Sequence, residues 1–231
     1  MNLAAALPFA WAAYPFTQYA SNSNTNDAIA PALLVWGFFF VTSPLARGAF
    51  VALSGWTKFA SLLLVPLWSG YPEARRPRPA ALVLLGFALA TTFAFFVLFL
   101  EPSPWQAARE FWTRTLGWQI GRESPFSIWD WRQYHAKGLP DLKWVQRVLQ
   151  AALVLGALAL TWWPRHRSPL RLAALTGAVL VGVELVLTHW FYLYLPWFFP
   201  FVAFALLAPR RAEEPVAVTE DERTRGALVA A

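Results

Sequence analysis

From Pro79 to Leu100 the chain runs 22 residues without a charged side chain. A helix of roughly 20 residues crosses the ~30 Å hydrocarbon core of a bilayer. Hydrocarbon offers no partner to a backbone N–H or C=O, so such a run has to be helical there. Three further runs have similar character. Leu142–Trp163 follows Pro140-Asp141, a helix start. Pro169–Leu187 follows Ser168, which places Ser at the N-cap and Pro at the first helical position. Trp190–Ala208 is the third. Gly48–Trp68 reads as a fifth span, with Lys58 near its middle. Leu3–Tyr19 ends in polar Thr17-Gln18-Tyr19, and Ala28–Ser43 contains Pro31. Each of these two is a full span, a re-entrant segment or part of one broken helix. The expected fold class is an all-α integral membrane protein, a polytopic helical bundle of five to seven transmembrane segments.

Composition supports that class. Of 231 residues, 58% are hydrophobic and 14% charged, against about 25% charged in ordinary soluble domains. The chain has no Cys, which excludes disulfides, thiolate catalysis and Cys-ligated metals. The net charge of +6 lies in short loops beside apolar runs. Membrane lipids and lipid phosphates are therefore the expected partners, and nucleic acid is not. Met1-Asn2 leads straight into apolar sequence without the basic start of a signal peptide. The chain is expected to be a portion of a longer reading frame.

Basic loops orient the spans. The 71–78 loop carries net +2 from Glu73, Arg75, Arg76 and Arg78, and the 164–171 loop net +3 from Arg165, Arg167 and Arg171. Arg210 and Arg211 follow the last run. The 101–142 segment balances five basic against five acidic residues. The positive-inside rule puts the three basic sites in the cytoplasm. The 101–142 segment and the Thr188-His189 turn are then external. The transmembrane region is expected over 1–211, and 212–231 is expected to be a disordered cytoplasmic tail.

Within 101–142, Phe111–Trp131 packs Phe111, Trp112, Trp118, Phe126, Trp129 and Trp131 among Arg114, Arg122, Glu123 and Asp130. Rings in a headgroup layer with charges turned to water or a ligand fit that mixture. Ser103-Pro104-Trp105-Gln106 reads as a helix start with a capping box. Trp105, Ala108, Trp112 and Leu116 then share one face of an interfacial amphipathic helix, which Gly117 ends or bends. That helix is either an anchor or a wall over a lipid-linked substrate. In the second case Arg109, Arg114 or Arg122 holds a phosphate through the planar guanidinium fork.

Glu184 is the one acid inside a strong span, and intramembrane acids face protein or a water cavity. It pairs for packing or faces a sugar. His189 either caps the external turn or hydrogen-bonds a phosphate. Lys58 has to snorkel or meet an anion, with a lipid phosphate and Glu184 both suitable. Asn22, Asn24, Asn26 and Asp27, in the run SNSNTND, form a solvated turn or a sugar-facing loop. The run is external if 28–43 is re-entrant. His135, His166 and His189 show no metal-ligand spacing, so neither a metal nor a cofactor is expected. No Gly-rich phosphate loop and no Gly-x-Ser-x-Gly motif occurs.

Five stretches together resemble the C-terminal two-thirds of bacterial GT-C glycosyltransferases, closest to the family-87 polyprenol-phosphate-mannose-dependent mannosyltransferases. They are Ala13-Tyr14-Pro15-Phe16 with SNSNTND, Trp56-Thr57-Lys58-Phe59-Ala60 leading to Leu64-Val65-Pro66-Leu67, FWTRTLGWQIGRESPFSIW, and His189-Trp190-Phe191-Tyr192-Leu193-Tyr194-Leu195-Pro196, with the spacing of spans around the long external loop as the fifth. The resemblance covers most of 1–208. It implies transfer of a mannosyl or related sugar from a polyprenyl-phosphate donor to a lipid or glycan acceptor, on the outer face of a bacterial plasma membrane. Lys58 matches the family's span lysine and His189 its late histidine near the lipid phosphate. Tyr192 and the arginines of 109–122 match more loosely. The family's loop acid, its general base, has no counterpart here, because Asp27 does not match its position. A transporter or flippase for a lipid-linked sugar would need the same cations and no base. A non-catalytic membrane subunit is the third reading.

Overall fold

In a computed structural model, residues 3–23, 26–122, 124, 127–130, 138, 140–189 and 192–208 are described. The elements among them are helical, and no strand occurs among the described residues. They are α1 (Leu3–Ala13), α2 (Pro15–Asn22), α3 (Ile29–Phe39), α4 (Pro44–Thr57), a 3-10 segment Phe59–Leu64 running into α5 (Val65–Ser69), and α6 (Pro77–Phe95) with its 3-10 extension Phe96–Leu100. Then come α7 (Pro104–Trp112), a π turn Thr113–Gly117, α8 (Trp118–Gly121), a 3-10 turn Ile128–Asp130, α9 (Lys143–Ala159), α10 (Pro169–Val186), a 3-10 segment Tyr192–Trp197 and α11 (Phe199–Leu207).

Several starts follow from local chemistry. Ser168 Oγ accepts the Arg171 N–H (3.2 Å), with Pro169 at the first helical position. Ser43 and Pro44 do the same for α4, Ser43 Oγ accepting from Ala46 N–H. Ser103 stands at the N-cap of α7 and Pro104 follows, but no side-chain capping bond forms there. Gly117 does not stop this helix. The chain passes through the π turn and stays helical to Gly121. Tyr14, in extended backbone before Pro15, separates α1 from α2, because the residue before proline is held out of the helical region.

Two expected spans are continuous helices. Pro77–Leu100 (24 residues) and Pro169–Val186 (18 residues) are long and apolar enough to cross a membrane. Leu142–Trp163 is helical over 17 residues. Trp190–Ala208 is not one helix among its described residues. A 3-10 segment holding Pro196 precedes the nine-residue α11, which has Pro200 in its first turn.

Gly48–Trp68 is also not one span. It is the greater part of a helical hairpin folded back at Lys58, whose backbone is extended (φ −145°, ψ 113°). The arms are α4 and the Phe59–Ser69 segment. Ser54 Oγ meets Ser61 Oγ (2.8 Å) and donates to the Ala30 carbonyl (2.9 Å), bonding α3 and both arms together near the tip. The 14-residue α4 reaches only about 21 Å. An apolar run carries no mark of such a reversal when both arms are apolar.

α4 and α6 cross with their backbones in contact. A Cβ on Gly48 would stand 1.9 Å from the Val83 carbonyl oxygen, and one on Gly86 2.0 Å from that of Leu45. The core lies around Trp68, which is fully buried with Leu34, Val51, Leu64, Leu67, Leu172 and Leu180. Trp68 Nε1 donates to Thr176 Oγ1 (3.0 Å) and ties the hairpin to α10.

The bundle has two distinct ends. At one, the Ala74 N–H donates to the Arg165 carbonyl (2.7 Å), the Arg167 N–H donates to the Pro72 carbonyl (2.8 Å), and Glu73 and His166 form an isolated bridge. The 71–78 and 164–171 loops are thus neighbours at one end of the bundle, and the span count between them asks only that they share that end. At the other end, Gln146 Nε2 donates to the Val186 carbonyl (2.9 Å) and to Thr188 Oγ1 (2.8 Å), which closes the C-terminus of α10 onto the start of α9. Lys58 and Asp27 stand at this second end.

Candidate functional site

Lys58 is the tip of the hairpin, so the fold presents its ammonium rather than hiding it within a span. Nζ lies 2.9 Å from an Asp27 carboxylate oxygen. Asp27 stands just before α3 and is 4% exposed. This corrects two expectations. Lys58 takes Asp27 and not Glu184 as its acid, and Asp27 is a buried ion-pair member rather than part of a solvated run. Burial of the Asp27 carboxylate is tolerable because the part-exposed Lys58 ammonium stands beside it. Nζ also lies 5.9 Å from the ring centre of Tyr194 and 5.8 Å from that of Trp197, within the range where an aromatic face attracts a cation.

Other groups converge on the same place. Glu184 is 4% exposed, and one carboxylate oxygen has no hydrogen-bond partner among the described residues. It lies within electrostatic range of the Tyr14 and Tyr194 phenols, as Asp27 and Arg122 do of Tyr194. Tyr14 stacks on Phe199 with centroids 3.8 Å apart, and Phe16 stacks on Tyr192 at 5.9 Å. The Tyr14-Pro15-Phe16 break therefore docks onto the Tyr192–Trp197 segment. His189 is buried at this end, following α10. Tyr192 is exposed there.

Arg109 and Arg114 are not gathered with Lys58, whereas Arg122 lies within electrostatic range of Tyr194 beside it. Arg109 is exposed on α7, and Arg114 is held by Glu110 (3.1 Å) on the outer surface. Arg122 is exposed over the Trp118 ring (4.8 Å). Asn26 is exposed and its carbonyl accepts from Ile29 N–H (3.1 Å), the role of a turn residue. Asn24, Glu123, Phe126, Trp131, Trp190, Phe191 and the 212–231 tail lie outside the described residues.

Some residues that sequence reasoning missed do structural work near this end or opposite it. Asp130 does not face water or a ligand. It is buried, accepts the Ser124 N–H (2.8 Å) and pairs with Lys143 (2.9 Å), pinning the aromatic loop to the start of α9. Arg47 is buried opposite and donates to the carbonyls of Trp68 (3.2 Å) and Tyr71 (2.8 Å). Arg167, expected only as a topology charge, is 3% exposed and donates to the carbonyls of Leu67 and Leu160. Burial pulls its guanidinium below the usual arginine range. These carbonyls end helices, where the backbone has no acceptor-satisfying N–H of its own. An arginine run does not reveal which member turns inward.

The long helices leave much apolar surface uncovered. Only 17% of the most apolar window of Pro77–Leu100 is buried inside the protein, and Phe93 on it is 80% exposed. Trp105, Trp112 and Trp118 are exposed on the α7–α8 segment, as an interfacial helix requires. Among the described residues, no three His, Asp or Glu side chains come together as a metal site. No family model, curated protein or solved structure matches this chain.

Proposed function

We propose that this chain is an integral membrane protein whose Lys58 end faces outward, and that this end takes part in sugar transfer from a polyprenyl-phosphate donor to a lipid or glycan acceptor. The resemblance to GT-C enzymes of the family-87 group motivates the reading. The observation that carries it is the hairpin tip: one ammonium held among Asp27, Tyr194 and Trp197, with Glu184 and His189 at the same end. Exposed apolar faces on Pro77–Leu100 and α9 support a lipid surround for five to seven crossing or re-entrant segments.

The chemistry needs two things from such a site. The leaving phosphate has to be neutralised, and the acceptor hydroxyl has to lose its proton. Lys58 and His189 supply donors for the phosphate. Aromatic faces such as Tyr194 and Trp197 suit the apolar face of a sugar ring. A phosphate that draws Lys58 away would release the Asp27 carboxylate to accept the acceptor's proton. The acceptor oxygen then bonds to the anomeric carbon. The bond from that carbon to the phosphate oxygen breaks, and its electron pair leaves with the polyprenyl phosphate.

The test is sugar transfer from polyprenyl-phosphate mannose by the intact protein in proteoliposomes, with Lys58→Met and His189→Ala beside it. Loss of transfer in both variants is expected. Undiminished transfer in both overturns the site. Binding of the donor without transfer favours the transporter reading instead.

A further inference from the structure

The opposite end of the bundle holds an open, cation-lined pocket. It has a volume of about 280 Å³ and is lined by Pro72, His166, Arg167, Ser168 and Arg171. We infer that it binds a phosphate group, that of an anionic phospholipid headgroup or of a free phosphate.

Three observations converge. The cavity sits at the N-terminus of α10, an 18-residue helix whose dipole and first-turn N–H groups favour an anion. Arg167 lines it while 3% exposed, and its Nε, closed to solvent and without a hydrogen-bond acceptor among the described residues, adds positive potential from behind the lining. Its two terminal nitrogens are spent on the Leu67 and Leu160 carbonyls, so its place is fixed whether or not a ligand is present. Arg171 adds a second guanidinium. One of its nitrogens donates to the His166 carbonyl (2.9 Å), which leaves most of a five-donor fork for other acceptors.

The local acid does not neutralise this pair. Glu73 is engaged by Arg76 (2.6 Å) and Arg165 (3.8 Å), neither of which lines the cavity. Two arginines and a histidine are therefore among the residues that line this space, and no carboxylate is among them. The space of about 280 Å³ is enough for a phosphate and a short polar headgroup. A cluster of arginines at the end of membrane helices is where anionic headgroups are drawn, with each cation near the surface strengthening binding about five-fold.

The experiment measures bound lipid by native mass spectrometry after reconstitution of the intact chain in nanodiscs of equal phosphatidylglycerol and phosphatidylcholine. Arg171→Gln and the double variant His166→Gln/Arg171→Gln are compared with the wild type. Arg167 is left alone because the fold needs it, and Arg147→Gln, at an exposed arginine of α9, serves as a control at the other end. Inorganic phosphate is titrated separately, with thermal unfolding as the readout. Retained phosphatidylglycerol that falls about five-fold in Arg171→Gln, further in the double variant and not in Arg147→Gln identifies a headgroup site. Stabilisation by inorganic phosphate that is lost in the same variants identifies a free-phosphate site. Retention and stabilisation that are both indifferent to Arg171 and His166 overturn the proposal. Neither readout involves sugar transfer, so this site stands or falls apart from the one at Lys58.

Discussion

Lys58→Met is the most informative single change. In the folded protein Nζ stands 2.9 Å from Asp27, whose side chain is 6% exposed against 24% for Lys58. At an effective dielectric of ~20, two unit charges at that distance attract by about 6 kcal/mol. Desolvation of the two ions takes back much of that attraction. The pair as a whole is thus worth little, while either half alone is costly. Lys58→Met leaves the more buried partner as an uncompensated carboxylate, and a loss of about 3–5 kcal/mol is expected. Asp27→Asn leaves a lysine that can reach toward water, and about 1–2 kcal/mol is expected. The double variant Asp27→Asn/Lys58→Met removes both charges and should lie within about 1–2 kcal/mol of wild type, more stable than Lys58→Met alone. Unfolding in mixed micelles of increasing denaturing detergent, followed by tryptophan fluorescence, gives the four free energies of the cycle. Additive losses, or a cost below about 1 kcal/mol for Lys58→Met, would show that the ion pair does not hold the hairpin tip.

Other expectations follow from the packing. Gly48→Ala or Gly86→Ala puts a methyl group into a neighbouring carbonyl oxygen and should cost at least about 1–3 kcal/mol. Gly156→Ala on α9 meets nothing within 4 Å and should gain up to about 1 kcal/mol; the same unfolding titration checks all three. Arg47→Met strips the Trp68 and Tyr71 carbonyls of their buried donor, and about 1–3 kcal/mol per orphaned carbonyl should appear as a lowered midpoint. Burial raises the Tyr71 phenol above its ordinary value of 10, against a smaller opposing pull from Arg47. A raised folded value means that the stabilising contribution of the neutral phenol is complete below pH 10 and is lost as pH climbs through the raised value. Melting curves between pH 9 and 11 should therefore fall less in Tyr71→Phe than in wild type.

Much of the helical order was legible because it rests on local chemistry. Ser168-Pro169 caps α10, Pro140-Asp141 precedes α9, and Pro79–Leu100 lies within one helical element. That the 71–78 and 164–171 loops share one end of the bundle followed from counting runs between basic clusters, whereas their direct pairing did not. Lys58 and His189 were legible as oddities, a cation inside an apolar run and a polar residue at its edge. The reversal at Lys58 was not. It depends on Ser54 meeting Ser61 and on Asp27 arriving from 31 residues upstream, and nothing in an apolar run marks either contact. The inward turn of Asp130, Arg47 and Arg167 was hidden for a related reason. A charged residue in a polar loop reads as solvated until its partners, Lys143 or the ends of distant helices, are in place. Trp197 stayed silent as one ring among many, and only the fold sets it over the ammonium.

The central claim is that the Lys58 end receives a polyprenyl-phosphate sugar. A polyprenyl-phosphate sugar bearing a small photoreactive group next to the phosphate tests it directly, by cross-linking in the membrane followed by peptide mapping. The account predicts adducts on the peptides around Lys58, His189 and Tyr194–Trp197, competed by unlabelled donor and reduced in Lys58→Met. Adducts confined to the 71–78 and 164–171 loops, or spread along Pro77–Leu100 without competition, would contradict it.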